Sequence, residues 1–231
     1  MQTTDPMPGT QESHPAHTTP KSEPAAQART IAPVFPLLLL KTLRDVDRPE
    51  EVLEDEDLST SMPRRLGLSD VVLLQIHRLE EEMRRKRLQS ASEIEDLIRL
   101  VTRRPDAERV CYRAGQRVAQ HAWEQRSAAV RRPVRFLPRP LALLAAQRAA
   151  RRLFRRLVGP GRLTVHRWPV ELQIAGSLTA RGEGQGAACA FYTGAFEELL
   201  QQYTGRSYRA HHSACEARGD SACEWKVQVS A

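Results

Sequence analysis

From Ser69 onward, apolar residues recur every three or four positions, and past residue 161 the period drops to two. Val72, Ile76, Leu79 and Met83 predict a helix that Ser69 or Asp70 can cap. Ser92 with Glu95 three residues later is a capping-box signature for a second helix, carrying Ile94, Leu97, Ile98 and Val101. Pro105 opens a third, running to about Gln125 with Val110, Cys111, Ala114, Val118 and Ala122 on its apolar face. Pro133, Pro138 and Pro140 predict a rigid turn region, and Leu141 to Val158 a fourth helix, ended by Gly159-Pro160-Gly161. Leu163 to Trp168 and Val170 to Ile174 read as strands, and residues 182–186 as a glycine-rich loop. A fifth helix covers Ala188 to Tyr203. Two further strands, Tyr208 to Glu216 and Cys223 to Val229, flank a turn at Arg218-Gly219-Asp220.

The first third of the chain is different. Residues 1–30 hold five prolines, no aromatic residue and six hydrophobic ones, too few to offset chain entropy, so they are expected to form a disordered arm. Ile31 to Leu43 is apolar enough for a short docking helix, and Glu50 to Asp57 reads as an acidic linker. The expected organisation is therefore an arm over 1–30, a docking helix and linker over 31–66, and one domain over 67–231. No apolar run approaches the roughly 20 residues of a membrane span. Residues 1–20 lack a secretory pattern. A cytoplasmic protein with reduced cysteines is expected.

Charge sharpens the picture of partners. The net charge is +7, and residues 125–170 hold twelve arginines with no Asp or Glu, whereas residues 50–57 hold six acids and no base. Such a field attracts phosphates, anionic lipid or carboxylate ligands, although a solvated basic helix face gives the same pattern.

The cysteines carry the candidate chemistry. Cys215 and Cys223 flank Gly219 symmetrically. Opposed across a hairpin, their Cβ atoms would sit roughly 4.5–5.5 Å apart, close enough for two thiolates to share a tetrahedral metal. Cys189 begins the fifth helix, where the helix dipole favours a thiolate. Strict alternation favours His211 on the cysteine face, but too far along the strand. His212 is nearer and needs a bulge to turn inward. The spacing is not that of a zinc finger, and buried free cysteines or a cross-strand disulfide stay open at this point.

The segments Ala188-Cys189 to Leu200 and Cys215-Glu-Ala-Arg-Gly219-Asp220-Ser-Ala-Cys223-Glu-Trp225 resemble the 4-vinyl reductase domain family. Cys111-Tyr-Arg-Ala-Gly115-Gln-Arg-Val-Ala119 is similar to that family's helix bearing a small-residue contact. Pro138 to Gly161, Trp168 and Arg181-Gly182 resemble its bacteriochlorophyll-synthesis members. The likeness covers about residues 69–231. It implies an α+β fold, helices packed on a small antiparallel sheet, related to trafficking protein particle (TRAPP) subunits. Sensor members carry a structural zinc whose cysteines match Cys189, Cys215 and Cys223, with a glutamate at the place of His212. The resemblance thus implies zinc held by Cys189, His212, Cys215 and Cys223, with histidine a competent replacement.

Function follows as an expectation. The leading class is a non-enzymatic carrier or sensor for an apolar or aromatic molecule, with a tetrapyrrole as one candidate. Its pocket would be lined by Trp123, Phe136, Trp168, Phe191, Tyr192 and Phe196. Arginines between 131 and 156 would meet a tetrapyrrole's propionates. The family name suggests a reductase, but Gly182-x-Gly184-x-Gly186 lacks a full dinucleotide fingerprint and no catalytic constellation stands out. A TRAPP-like homodimeric assembly module is the second class. Nucleic-acid binding ranks last, because the arginine run has no reader motif.

Overall fold

The computed structural model describes residues 30–47, 70–134, 136–158, 162–166, 169–182 and 185–229. The arm over 1–29, the acidic stretch at 50–57 and Trp168 lie outside the described residues. The α+β expectation is borne out: eight α-helices and six strands are described, with antiparallel pairing throughout.

Strand β1 (Thr30–Ile31) pairs with β2 (Gln89–Ser90). Helix α1 (Val34–Val46) starts after Pro33 and tolerates Pro36 in its first turn, where a helix has unpaired N–H groups to spare. One face of α1 sends Phe35, Leu39 and Leu43 into the main core. Another sends Leu37 and Leu40 against Ile76 and Leu79 of α2 (Asp70–Arg84). Ion pairs Asp45–Arg117 and Asp47–Arg104, at 2.7 and 2.5 Å, fasten its C-terminal end.

Helix α3 (Ala91–Thr102) begins directly after β2. The Ser92–Glu95 capping box does not form, because β-pairing fixes Ser90 as the extended N-cap and places Ser92 inside the first turn. Ser92 shares a 2.7 Å hydrogen bond with Ser90 instead. Helix α4 (Ala107–Glu124) follows the predicted third helix closely. The predicted rigid turn instead contains α5 (Ala128–Val134), since Ala128 to Arg132 are helix formers and Pro133 removes only one donor near the end. Helix α6 (Arg139–Val158) starts two residues before the predicted Leu141, with the Pro138 carbonyl accepting from Leu141 and Ala142.

The main sheet runs in the order β3 (Arg162–His166), β4 (Glu171–Ala175), β6 (Cys223–Val229), β5 (Tyr208–Ala214). Alternation sorts its faces. Val165, Leu172, Ile174, Cys223, Trp225, Tyr208 and Ala210 are buried. Gln173 and Glu224 pair side by side on the other face at 2.9 Å. The buried face is covered by α6 and α8 (Ala190–Thr204). Gln147 and Arg151 of α6 donate to the His166 and Val165 carbonyls, and Trp225 Nε1 donates to Thr193 Oγ1 of α8 at 2.9 Å. The short helix α7 (Leu178–Gly182) was not legible, since five residues carry no period.

Helices α4 and α8 cross at the centre with almost no space between their backbones. A Cβ on Gly115 would lie 2.0 Å from the Phe191 carbonyl oxygen, and one on Gly194 would lie 2.1 Å from that of Tyr112. The crossing sets Phe191, Tyr192 and Phe196 into the core, where Phe191 meets Phe35 edge-on at 4.7 Å. Among the described residues no helix is long and apolar enough to cross a membrane.

Candidate metal centre

Three separate pieces of chain converge at one end of the sheet. The first is a 3-10 turn, Ala187–Cys189, that runs into α8 and leaves Cys189 at its N-cap position. The second is the end of β5, where the pairing with β6 slips between His212 and Ala214. His212 shares the inward face of β5 with Tyr208 and Ala210 and pairs with Trp225, and the irregularity at Ser213 shifts the phase so that Cys215 comes to the same side. The third is the turn from Cys215 through the 3-10 segment Glu216–Arg218 to Cys223, the first residue of β6.

Cys189, His212, Cys215 and Cys223 each offer one ligand atom, and these atoms all lie within 4.8 Å of one another. The Cys189 sulfur is 3.9 Å from that of Cys215 and 3.8 Å from that of Cys223. All three cysteines are free and buried. His212 stacks on Trp225 at 4.6 Å with the rings nearly parallel, which fixes its orientation. Its Nε2 is buried without a hydrogen-bond partner. A buried orphan nitrogen beside three buried sulfurs is unfavourable unless something satisfies it. The group could hold a metal ion.

Further contacts fix the donors. Thr179 Oγ1 lies 3.3 Å from the Cys189 sulfur and 2.8 Å from Ser177 Oγ, which in turn donates to Tyr192 Oη at 3.3 Å. The Glu216 N–H donates to the Cys223 sulfur at 3.3 Å. Asp220 Oδ2 accepts the Cys215 N–H at 2.7 Å, so the Gly219-Asp220 turn braces a candidate ligand. Glu216 accepts from the N–H groups of Gly176 and Ser177, tying the turn to the end of β4. Gly186 has φ +90°, and a Cβ there would meet the Cys215 sulfur at 2.8 Å. This glycine of the predicted loop thus lets the chain pass against the cysteine site. Thr179 and Ser177 were missed from sequence, because nothing in their spacing ties them to Cys189.

The electrostatics divide the thiols. Cys223 is drawn down to about 5, first by the Cys189 S–H that donates to it, and further by His212 and the Glu216 N–H against the effect of burial. Cys189 is pushed up by the same bond and by burial, and Cys215 chiefly by burial. One sulfur is therefore ready as a thiolate, and a cation would draw the other two into that form.

Of the aromatic residues proposed for a ligand pocket, the five described ones do not gather around one cavity. Phe191, Tyr192 and Phe196 are fully buried core residues. Phe136 is 87 % exposed. Trp123 packs edge-on against Tyr203 at 4.8 Å and borders an open cleft of about 710 Å³.

The geometry shows an α+β fold with a Cys3His group, its cysteines buried and its histidine half-buried, at one end of the main sheet. Residues 170–229, about a quarter of the chain, match the family model of the 4-vinyl reductase domain. The resemblance read from the sequence therefore holds over that segment, which contains all four candidate ligands. No curated protein and no solved structure matches the chain.

Proposed function

We propose that the protein is a non-enzymatic small-molecule-binding module, a carrier or sensor, whose fold is tied by a structural zinc ion. The observation that carries this reading is the closed set of four buried or half-buried donors with the orphaned His212 nitrogen. Three sulfurs and one imidazole suit tetrahedral zinc at about 2.0–2.3 Å per bond, with no position left for a reacting water. Zinc there would join α8 to both strands of the terminal hairpin and supply no reaction step. The 4-vinyl reductase domain match is compatible with ligand binding. The ligand would be apolar or aromatic, a tetrapyrrole among the candidates, whose propionates would pair with arginines between 131 and 156. The reading places the protein in the cytoplasm, where free thiols persist. A second reading, a homodimeric assembly module, draws on Val71, Leu73 and Leu74, which are exposed on the outer side of α2.

Native mass spectrometry of the full chain, purified without added ligand or metal, tests both. One zinc per chain with an additional organic mass is the expected result. Zinc without an organic mass, in a defined dimer, would favour the assembly reading. Metal-free protein would overturn the zinc assignment.

A further inference from the structure

A cleft of about 370 Å³ lies between α4, α6 and the chain entering α1, with Leu199 of α8 reaching it from below. Its floor is apolar, built from Val118, Leu157 and Leu199, all nearly or fully buried. Three arginines, Arg126, Arg152 and Arg156, stand around it. Arg152 and Arg156 are four residues apart on α6 and so rise on the same face. Arg126 comes from beyond the end of α4, and its guanidinium lies over the Tyr203 ring at 5.6 Å.

Exposed arginines on an amphipathic helix are ordinary, and their stems cover apolar surface. What differs here is their convergence on one apolar floor. Arg104 meets Asp47 and Asp106, Arg117 meets Asp45, and Arg181 meets Glu95, whereas Arg148 and Arg155 of α6 stand exposed without a carboxylate partner among the described residues and line no apolar cleft there. Among the described residues, none of Arg126, Arg152 and Arg156 has an ion-pair partner, and no acidic residue lines the cleft. Arginines around an apolar floor are complementary to a molecule with an apolar body and an anionic end. The larger cleft near Trp123 differs, because Glu198 stands in it beside Arg139 and Arg206, so its arginines have a carboxylate of the chain close by.

We infer that this cleft binds an amphipathic anion, with its apolar body on the Val118–Leu157–Leu199 floor and its carboxylate among Arg126, Arg152 and Arg156. The inference rests on the small-molecule reading above and narrows the ligand class. The volume lies within the roughly 300–1,000 Å³ of small-molecule sites. Guanidinium–carboxylate bonds are among the stronger polar contacts, and a half-enclosed site screens them less than open water does.

The test is calorimetric titration of the full chain with decanoate, decan-1-ol and decyltrimethylammonium, each below its aggregation limit. Decanoate is expected to bind saturably at one per chain, decanol about tenfold more weakly, and the ammonium compound not measurably. Arg152→Glu with Arg156→Glu should weaken decanoate about tenfold or more while leaving the thermal midpoint unchanged, since both side chains are exposed. Ala122→Trp, at a half-buried wall position, should block decanoate. Equal binding of decanoate and decanol, or unchanged affinity in the double variant, would overturn the inference. So would attachment to anionic phosphatidylglycerol vesicles with no binding of free decanoate. A purified double variant that still carries its organic mass would sink the cleft and leave the carrier reading standing. A wild-type protein with no organic mass and no affinity for any of the three would sink both.

Discussion

At the scale of single residues, two glycines and one buried carboxylate set the central helix pair. Gly115 and Gly194 are reciprocal: each lets the other helix's backbone carbonyl approach closer than any Cβ permits. Gly115→Ala or Gly194→Ala must push backbone against backbone, which no rotamer change relieves. Each is expected to destabilise by at least ~1–3 kcal/mol, read as a lowered urea midpoint. Gly115 was legible as part of a small-residue helix contact; its partner was not, because a glycine inside a helix pattern does not announce which carbonyl it faces. Glu197 of α8 is buried and accepts from the Tyr112 hydroxyl at 2.6 Å and from the Ala210 N–H at 2.7 Å, joining α4, α8 and β5. Tyr112→Phe should cost about 1–3 kcal/mol, since a charged acceptor loses one donor. The Tyr112 hydroxyl is pushed up to about 12 from 10.0, first by burial and then by its bond to Glu197. The neutral phenol is thus favoured in the folded state. Its contribution is full below pH 10 and is lost as pH rises toward about 12. Urea midpoints measured from pH 9 upward should fall less steeply in Tyr112→Phe than in the wild type.

At the scale of elements, the candidate metal centre joins a helix start to a hairpin end. Its cysteines were visible in the sequence because Gly219 sits midway between Cys215 and Cys223, and Cys189 heads an obvious helix. His212 was visible only through the need for a bulge, and the pairing slip beyond it provides one. The supports around the sulfurs come from α7 and the end of β4, elements that had no readable period or lay distant in sequence. Thr179→Val tests whether those supports matter. The substitution keeps shape and removes the hydroxyl beside Cys189. Zinc affinity, measured by competition with a chromogenic chelator, should drop about tenfold or more with the fold intact. Cys215→Ser or Cys223→Ser should abolish stoichiometric zinc. Unaltered affinity in Thr179→Val would mean that the hydroxyl is only a packing partner of Ser177.

At the scale of the whole molecule, the matched segment does not account for the core by itself. The sequence reads α1 as a peripheral helix, because a short apolar run beside an acidic stretch has no stated destination. In the structure its Phe35, Leu39 and Leu43 belong to the same buried cluster as Phe191, Leu172 and Trp225. Its other face holds α2 through Leu37 and Leu40, and Lys41 reaches Glu80 at 2.6 Å. The contact of Phe35 with Phe191 joins residues more than a hundred positions apart, and no local pattern encodes it. A helix that only docks could be weakened without disturbing the rest, whereas one that completes the core could not. Phe35→Ala removes the ring that packs edge-on against Phe191. It is expected to cost ~3–5 kcal/mol, as an interior phenylalanine does, and to lower the unfolding midpoint of the entire domain in one transition. Leu100→Ala, at a position 61 % exposed on α3, should change the midpoint by no more than about 0.5 kcal/mol equivalent. Equal, small effects of both substitutions, or an early separate transition in Phe35→Ala, would show that α1 is an attachment and that the sheet, α4, α6 and α8 stand without it.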